Sequence, residues 1–227
     1  MDELHESPPT LTRHAVRELD RVAMNQLGML GLVLMENAGR GVVDCLRRQG
    51  DLNRVVILCG KGNNAGDGFV IARHLDLVGV VVEVVLCCNP DELQGDALAN
   101  YQLLPHTRAT VVKELDACLF DNLRSCDWVL DALLGTGAKG APRPPFRRAI
   151  ELMNACRARK LAVDISSGLD ADTGVPSEVT FRADLTCTFA AAKPGLLVAE
   201  SQSFVGDLQI VDIGVPSRLL ARFGIGD

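Results

Sequence analysis

Short apolar segments alternate with amphipathic segments along most of the chain, and this alternation restricts the possible folds more than any other feature. Segments 54–59, 80–88, 110–112, 127–131, 161–164, 184–189 and 208–211 are typical of β-strands. Several are almost entirely apolar, as expected for strands of a parallel sheet that is covered on both faces. The pattern predicts an α/β fold: a three-layer α/β/α sandwich with a mostly parallel central sheet.

Helical periodicity fills the spaces between these strands. Thr12 is predicted to cap a first helix that stops near Gly28, and a second helix is predicted over about 32–48. Further helices are predicted at about 67–78, 91–104 and 145–159. No repeat or low-complexity linker interrupts the 227 residues. We therefore predict a flexible polar arm over residues 1–9 and a single domain over residues 10–227.

The charge pattern excludes several classes of function. Lys and Arg total 23 against 29 Asp and Glu, a net charge of −6, and no predicted helix carries a basic stripe. Nucleic-acid binding is not expected, because it needs clustered cations. No apolar run approaches the roughly 20 residues of a membrane span. The acidic N-terminus does not resemble a secretory signal, so a cytoplasmic location is predicted.

The cysteines and histidines show no metal-binding pattern. Eight Cys form no CxxC motif, and the four His are scattered. Buried reduced thiols are expected, and a zinc site is not. We also expect Arg13 and Asp20 to lie on a solvated face, and Met24, Met29 and Met35 to fill gaps in the core.

The first unusual loop, residues 60–68, contains four glycines, two adjacent asparagines and an aspartate between a predicted strand and a predicted helix. Such a loop can bring backbone N–H groups to a phosphate. Its glycine spacing fits neither a dinucleotide fingerprint nor a Walker loop, and no carboxylate ends the second strand. The same residues could instead serve only as turn formers and a helix cap.

Two further loops follow strands that end in a carboxylate, Asp131 and Asp164. If the strand ends adjoin, Asn64, Asp131 and a serine hydroxyl would bring oxygen ligands together. A set with one formal negative charge favours a monovalent cation. Asp131 could alternatively only tie a loop. Lys193 could place an ammonium at the same edge of the sheet, or extend to solvent.

Taken together, these motifs resemble the NAD(P)H-hydrate epimerase family, also called the YjeF N-terminal domain family. The matching segments occur in order at 34–39, 62–68, 131–137, 164–170, 183–186, 193–195 and 211–214. The family has a Rossmann-like fold and interconverts the R and S forms of hydrated NADH and NADPH, named NADHX and NADPHX. A partner dehydratase then regenerates the cofactors. Ala65 stands where the family often has Gly, and Ser166 where it commonly has Pro.

The resemblance implies roles for individual residues. One potassium ion per subunit would be held by Asn64, Asp131 and Ser167. The hydrated cofactor would contact Asp164 and two segments, which are Asn63, Asn64, Ala65, Gly66 and Asp67, and Gly135, Thr136, Gly137, Ala138, Lys139, Gly140 and Ala141. A homodimer is also implied.

Inversion at the carbon that bears the added hydroxyl requires proton transfer. We hypothesise that Asp164 is the main acid/base residue and Lys193 an electrostatic assistant, with Asp67 as the rival carboxylate. An alternative is a non-catalytic nucleotide-binding or protein-interaction module on the same fold. A nicotinamide-dependent oxidoreductase is a third possibility, against which the glycine spacing argues.

Overall fold

The central element is a parallel sheet of seven strands in the order β3-β2-β1-β4-β5-β6-β7. A computed structural model describes residues 8–50, 52–113, 115 and 117–226. Within them the strands are β1 (Arg54–Cys59), β2 (Val81–Leu86), β3 (Thr110–Val112), β4 (Trp128–Ala132), β5 (Arg159–Val163), β6 (Leu185–Phe189) and β7 (Asp207–Val211). All seven predicted strands are confirmed, and the described sheet is entirely parallel.

Helices cover both faces of the sheet. They are α1 (Arg13–Asn25), α2 (Gly31–Arg47), α3 (Asn63–Leu77), α4 (Gly95–Tyr101), α5 (Ala117–Ser125), α6 (Phe146–Ala155), α7 (Gln202–Val205) and α8 (Ser217–Ala221). Residues of β1 alternate between two cores. Val55 and Ile57 pack with α1, α2 and α3, whereas Val56 and Leu58 pack with α5 and α6. The predicted α/β/α sandwich is confirmed.

Helix α3 begins four residues earlier than predicted, so most of the glycine-rich segment is helical and not a loop. Its glycines allow close packing. A Cβ at Gly66 would lie 2.6 Å from Met35 Cε, and one at Gly39 would lie 2.5 Å from Val70 Cγ1. Helices α2 and α3 therefore cross with almost no space between their backbones.

Other helix boundaries also differ from the predictions. The helix predicted at 91–104 is divided into a 3₁₀ turn (Pro90–Glu92), α4 and a second 3₁₀ turn (Leu104–His106). Proline in both turns and the left-handed Gly95, with φ of 54°, prevent one continuous helix. Helices α5, α7 and α8 were not predicted. The cap at Thr12 is confirmed, since its side chain accepts a hydrogen bond from Ala15 N.

Residues 9–11 pair with Ala192. Pro9 O accepts a hydrogen bond from Ala192 N, and Leu11 N donates one to Ala192 O. Residues 1–7 of the predicted arm lie outside the described residues. The single domain over 10–227 stays a prediction. No helix in the described ranges is long and apolar enough to cross a membrane.

We expect Gly60→Ala to destabilise the fold at the edge of the sheet that carries the site. A Cβ at Gly60 would lie 2.1 Å from the carbonyl oxygen of Leu133. Urea denaturation should show the free energy of unfolding falling by about 1–3 kcal/mol, because two backbone segments must separate. Gly137→Ala is the matched control, since its Cβ would lie 3.5 Å from the Arg17 guanidinium, an ordinary contact. Equal losses in the two variants would contradict this packing account.

Candidate active site

A cavity of about 480 Å³ opens at the carboxyl ends of β1, β4, β5 and β6. Its walls come from α1, α2, the first turn of α3 and the loop after β4. Ligands bind at this edge in open parallel sheets, because the loops that connect strands to helices converge there. The predicted site residues can therefore be compared with one cavity.

The first turn of α3 supplies three of its five predicted residues to the cavity: Asn63, Asn64 and Asp67. Ala65 is fully buried, and Gly66 faces Met35 and Ala97 instead. The turn presents side chains on one helical face, so the whole segment does not surround a ligand as a flexible loop would.

The loop after β4 divides in a similar way. Gly135, Thr136, Gly137 and Ala138 line the cavity, whereas Lys139 and Ala141 do not. Gly140 lines a smaller neighbouring cavity of about 260 Å³, beside Ser166 and Gly168. The two cavities share the wall formed by residues 134, 135 and 138.

Asp131 and Ser167 are in direct contact below this loop. Asp131 lies inside β4 with no exposed surface, and its Oδ1 accepts a hydrogen bond of 2.7 Å from Ser167 Oγ. Its Oδ2 accepts one of 2.7 Å from Ser167 N. Burial raises the pKa of Asp131 to about 6, and the bonds from Ser167 partly oppose that rise. The carboxylate joins the loops after β4 and β5.

Asn64 reaches the same loop from α3. Its Nδ2 donates to Leu134 O at 3.3 Å, and Leu134 N donates to Ser167 Oγ at 3.0 Å. Leu134 thus connects Asn64 with the Asp131–Ser167 pair, and the three predicted cation ligands are brought together around it.

The buried Oδ1 of Asn64 has no hydrogen-bond partner among the described residues. An unpaired buried carbonyl oxygen carries a cost of roughly 1–3 kcal/mol, which a cation could remove. Within the described ranges, no cluster of three His, Cys, Asp or Glu side chains could hold a metal ion. The set of oxygen ligands fits a monovalent cation, and the identification of that cation as potassium stays a prediction.

Lys193 and Asp164 form an ion pair at the floor of the cavity. Lys193 has no exposed surface, and its Nζ donates to Asp164 Oδ1 at 2.5 Å, Thr188 Oγ1 at 2.8 Å and Phe189 O at 3.2 Å. All three ammonium donors are therefore engaged, and the alternative in which Lys193 extends to solvent is wrong. Asp164 follows β5 directly, in the left-handed region with φ of 65°.

Two more carboxyl groups lie near this pair. Burial raises the pKa of Asp67 well above its ordinary value, and the charges of Asp164 and Asp20 raise it further. Burial, followed by the charge of Asp164, raises the pKa of Asp20 to about 6. The cluster therefore places two carboxyl groups with raised pKa values, Asp67 and Asp20, beside the ion-paired Asp164.

Asp20 was not predicted as a site residue, and its assignment to a solvated face is wrong. It is half-buried and lines the cavity with Val16 and Met24. These three residues are spaced by four along α1 and so share one helical face. A carboxylate inside an apolar i, i+4 row is the signal that could have identified it.

The contacts confirm the expected position of Met29 in the core. They contradict the expectations that Met24 and Met35 only fill gaps in the core and that Arg13 lies on a solvated face. Met24 and Met35 line the cavity, and Met29 packs against the core. Arg13 is mostly buried, pairing with Asp170 at 2.5 Å and holding Asp172 through its backbone N–H. The seven described cysteine side chains are free thiols, as expected, and Cys118 lies outside the described side chains.

Asp67→Asn should change how stability depends on pH. Because the pKa of Asp67 is raised in the folded state, the protonated carboxyl group stabilises the fold. This contribution is complete below the pKa of Asp67 in the unfolded state, near 3.8. That contribution is lost as pH rises through the folded pKa. We expect the free energy of unfolding of Asp67→Asn, relative to the unsubstituted protein, to increase with pH above about 4. Urea denaturation between pH 4 and pH 9 measures this difference, and a difference that falls with pH would contradict it.

Comparisons with known proteins show the family of the chain. Residues 31–195 match the family described as YjeF-related protein N-terminus. The chain is 45% identical to an NAD(P)H-hydrate epimerase of Pirellula staleyi, covering 92% of this chain and 93% of that protein. It is 42% identical to an NAD(P)H-hydrate epimerase of Rhodopirellula baltica, covering 96% and 89%.

Two further similarities concern domain organisation and fold. The chain is 41% identical to a bifunctional NAD(P)H-hydrate repair enzyme of Salinibacter ruber, covering 95% of this chain and 42% of that protein. The crystal structure of the yeast protein ynu0 superposes with a TM-score of 0.83 at 24% identity, covering 96% and 94%. The similarity to ynu0 supports the fold alone. The chain belongs to the YjeF-related N-terminal family, and specifically to its NAD(P)H-hydrate epimerases.

Proposed function

We propose that the chain is an isomerase that interconverts the R and S forms of hydrated NADH and NADPH, and so contributes to repair of damaged nicotinamide cofactors. The observation that carries the proposal is the ion-paired Asp164 beside the raised-pKa Asp67 in one cavity. Two carboxyl groups in different environments at one cavity, one ion-paired and one buried with a raised pKa, are typical of acid–base sites. The names of the two relatives that match over most of their length support the same activity.

Asp164 is the main acid/base residue in this proposal. Both of its described side-chain hydrogen bonds, from Lys193 and Thr188, reach Oδ1. Among the described residues, Oδ2 has no hydrogen bond, so it is available to a substrate hydroxyl or to water in the cavity. The reaction needs a group there that can exchange a proton with either.

Lys193 acts as a positioning residue and electrostatic assistant. Its three donors are already engaged by protein oxygens, so it holds the Asp164 carboxylate in place. Its charge also offsets that of the neighbouring carboxyl groups. The site thereby keeps a fixed carboxylate at the wall of the cavity.

Asp67 supplies the complementary acid. Burial raises its pKa and so favours the protonated form, which can donate a proton to the hydroxyl. The hydroxyl then leaves as water while the ring-nitrogen electron pair forms a C=N bond. Water then adds to the opposite face, and Asp164 accepts its proton. One water leaves and one enters, and the proton returns from Asp164 to Asp67. The carbon is inverted with no net oxidation.

A potassium ion, one per subunit, would be held by Asn64, Asp131 and Ser167, consistent with the unpaired Asn64 oxygen. It would supply a positive charge that orders the loops after β4 and β5 and offsets the local carboxylate charge. Partnership with an NAD(P)HX dehydratase, a homodimer and a cytoplasmic location are part of this proposal. The bifunctional name of the Salinibacter ruber relative supports the partnership.

The function is tested with chemically hydrated NADH that contains both epimers. An S-specific dehydratase with its nucleotide first consumes the S form, and this protein is then added while absorbance at 340 nm is recorded. We expect absorbance to rise again to completion. Asp164→Asn should lower kcat at least 10³-fold, on the order of the loss of a general acid/base, with substrate binding retained. Asn tolerates the left-handed backbone at this position, which makes it a suitable replacement.

The exposed Asp91→Asn serves as the control variant and should match the unsubstituted protein. The absence of any renewed rise with correctly folded protein and an active dehydratase would reject the epimerase and favour a binding module. Near-normal turnover by Asp164→Asn would reject only the acid/base role of Asp164.

The cation proposal has its own test in Asn64→Ala. Removing the amide oxygen should raise the potassium concentration for half-maximal activity and for thermal stabilisation by roughly tenfold, as expected for loss of one ligand. Asn63→Ala, one residue away on the same turn, should leave the potassium response of thermal stability unchanged. Identical responses to potassium in Asn64→Ala and the unsubstituted protein would remove Asn64 from the ligand set.

A further inference from the structure

A second large cavity, of about 620 Å³, lies at the carboxyl ends of β2 and β3. Its walls include Lys61, Asn89, Lys113, Leu115, Pro145 and Phe146. Lys61 and Phe146 also line the first cavity, so the two spaces adjoin. None of the roles assigned above uses this second space.

The sheet order gives the second cavity a defined place relative to the chemistry. Asp164 and Lys193 follow β5 and β6, on one side of the β1–β4 pair, whereas β2 and β3 lie on the other side. In open sheets of this order, a dinucleotide lies across the point where the strand order reverses. If the hydrated ring reacts at Asp164, the other nucleotide must extend toward β2 and β3.

We propose that the second cavity is the subsite for the adenylate half of the hydrated dinucleotide. The inference rests on the proposed function and extends it, because it assigns the non-reacting half of the substrate to a specific surface.

The walls of the second cavity suit a purine nucleotide. Leu115, Pro145 and Phe146 supply an apolar surface against which a planar base can pack. The side-chain Oδ1 of Asn89 accepts a hydrogen bond from Asp91 N. The side-chain Nδ2 of Asn89 has no hydrogen bond among the described residues and is available to a ligand. The cavity therefore combines an apolar slot with a small number of polar groups, as nucleotide sites do.

Charge distribution also favours this arrangement. Apart from Asp67, whose raised pKa favours its neutral form, the first cavity is lined by equal numbers of carboxylates and cations, namely Asp20, Asp96 and Asp164 against Arg17, Lys61 and Lys193. The second is lined by Lys61 and Lys113 against Glu92. Phosphates are better accommodated at the second cavity and at its junction with the first.

Lys61 lies at that junction. Its Nζ pairs with Glu92 at 2.6 Å, and both side chains are about half exposed. A solvent-exposed pair of this kind contributes little to stability, so a phosphate can replace Glu92 as the partner of Lys61. Lys61 would then contact the phosphates between the two halves, while Lys113 would contact the phosphate side of the adenylate.

The test uses the whole chain and the exposed Lys113→Glu. We expect calorimetric titration with AMP to show binding to the unsubstituted protein, and Kd to rise by roughly tenfold in Lys113→Glu, as for one lost charge-assisted contact. Arg157→Glu is the matched charge reversal. Arg157 is exposed and precedes β5, at the opposite edge of the sheet, so AMP binding should not change.

Kinetics provide a second readout. For hydrated NADH, Lys113→Glu should raise KM by a similar factor with kcat unchanged. For hydrated reduced nicotinamide mononucleotide, which lacks the adenylate half, Lys113→Glu should leave KM unchanged.

Three results would overturn the subsite: no AMP binding to the unsubstituted protein, the same AMP affinity in Lys113→Glu, or equal changes in KM for the dinucleotide and the mononucleotide. The proposed function fails separately, if the unsubstituted protein turns over neither hydrated compound. The AMP titration still decides the subsite in that case.

Discussion

Lys193 is a charged side chain with no exposed surface, and much of the architecture at this edge of the sheet serves to accommodate it. Burying an ammonium costs several kcal/mol unless its donors are all satisfied. Its partners come from three positions, which are Asp164 after β5, Thr188 in β6 and the carbonyl of Phe189. The pairing of β5 with β6 must therefore stay in register, and Asp164 must adopt its left-handed backbone.

The contact between Asp131 and Ser167 constrains the loops on the other side of β5. A fully buried carboxyl group in β4 accepts hydrogen bonds from the loop after β5, which fixes that loop relative to the loop after β4. Asn64 then adds α3 to the same set through Leu134. These buried polar groups thus hold α3, the loop after β4 and the loop after β5 together around one cavity. Loss of any one of them leaves another buried group without its hydrogen-bond partner.

The sheet could be predicted from the sequence because its strands have a simple cause. Segments such as Val55–Cys59 are apolar at every position, and only burial on both faces explains them. The start of α3 could not be predicted in the same way. Glycines indicate turns in isolation, and only the neighbouring Met35 shows that Gly66 is needed for close packing. Asp20 was missed because its burial depends on where α1 lies against the sheet, which is a tertiary property.

Site residues were predicted with uneven precision for the same reason. Strand ends such as Asp164 are positioned by the topology, and they lie where the sequence suggested. Within the loop 135–141, backbone path alone decides which residues face the cavity, so Lys139 and Ala141 could not be distinguished from Gly137.

The close crossing of α2 and α3 has a consequence for motion. Because Gly39 and Gly66 leave no gap between these helices, neither can slide without separating backbones, and the wall that they form behaves as a rigid surface. The wall formed by residues 135–138 is a partly exposed loop, and Ala138 N to Gly135 O is its one internal backbone hydrogen bond among the described residues. Any narrowing of the cavity around a substrate must therefore come from that loop or from α1, with the wall formed by α2 and α3 acting as the fixed surface against which they close.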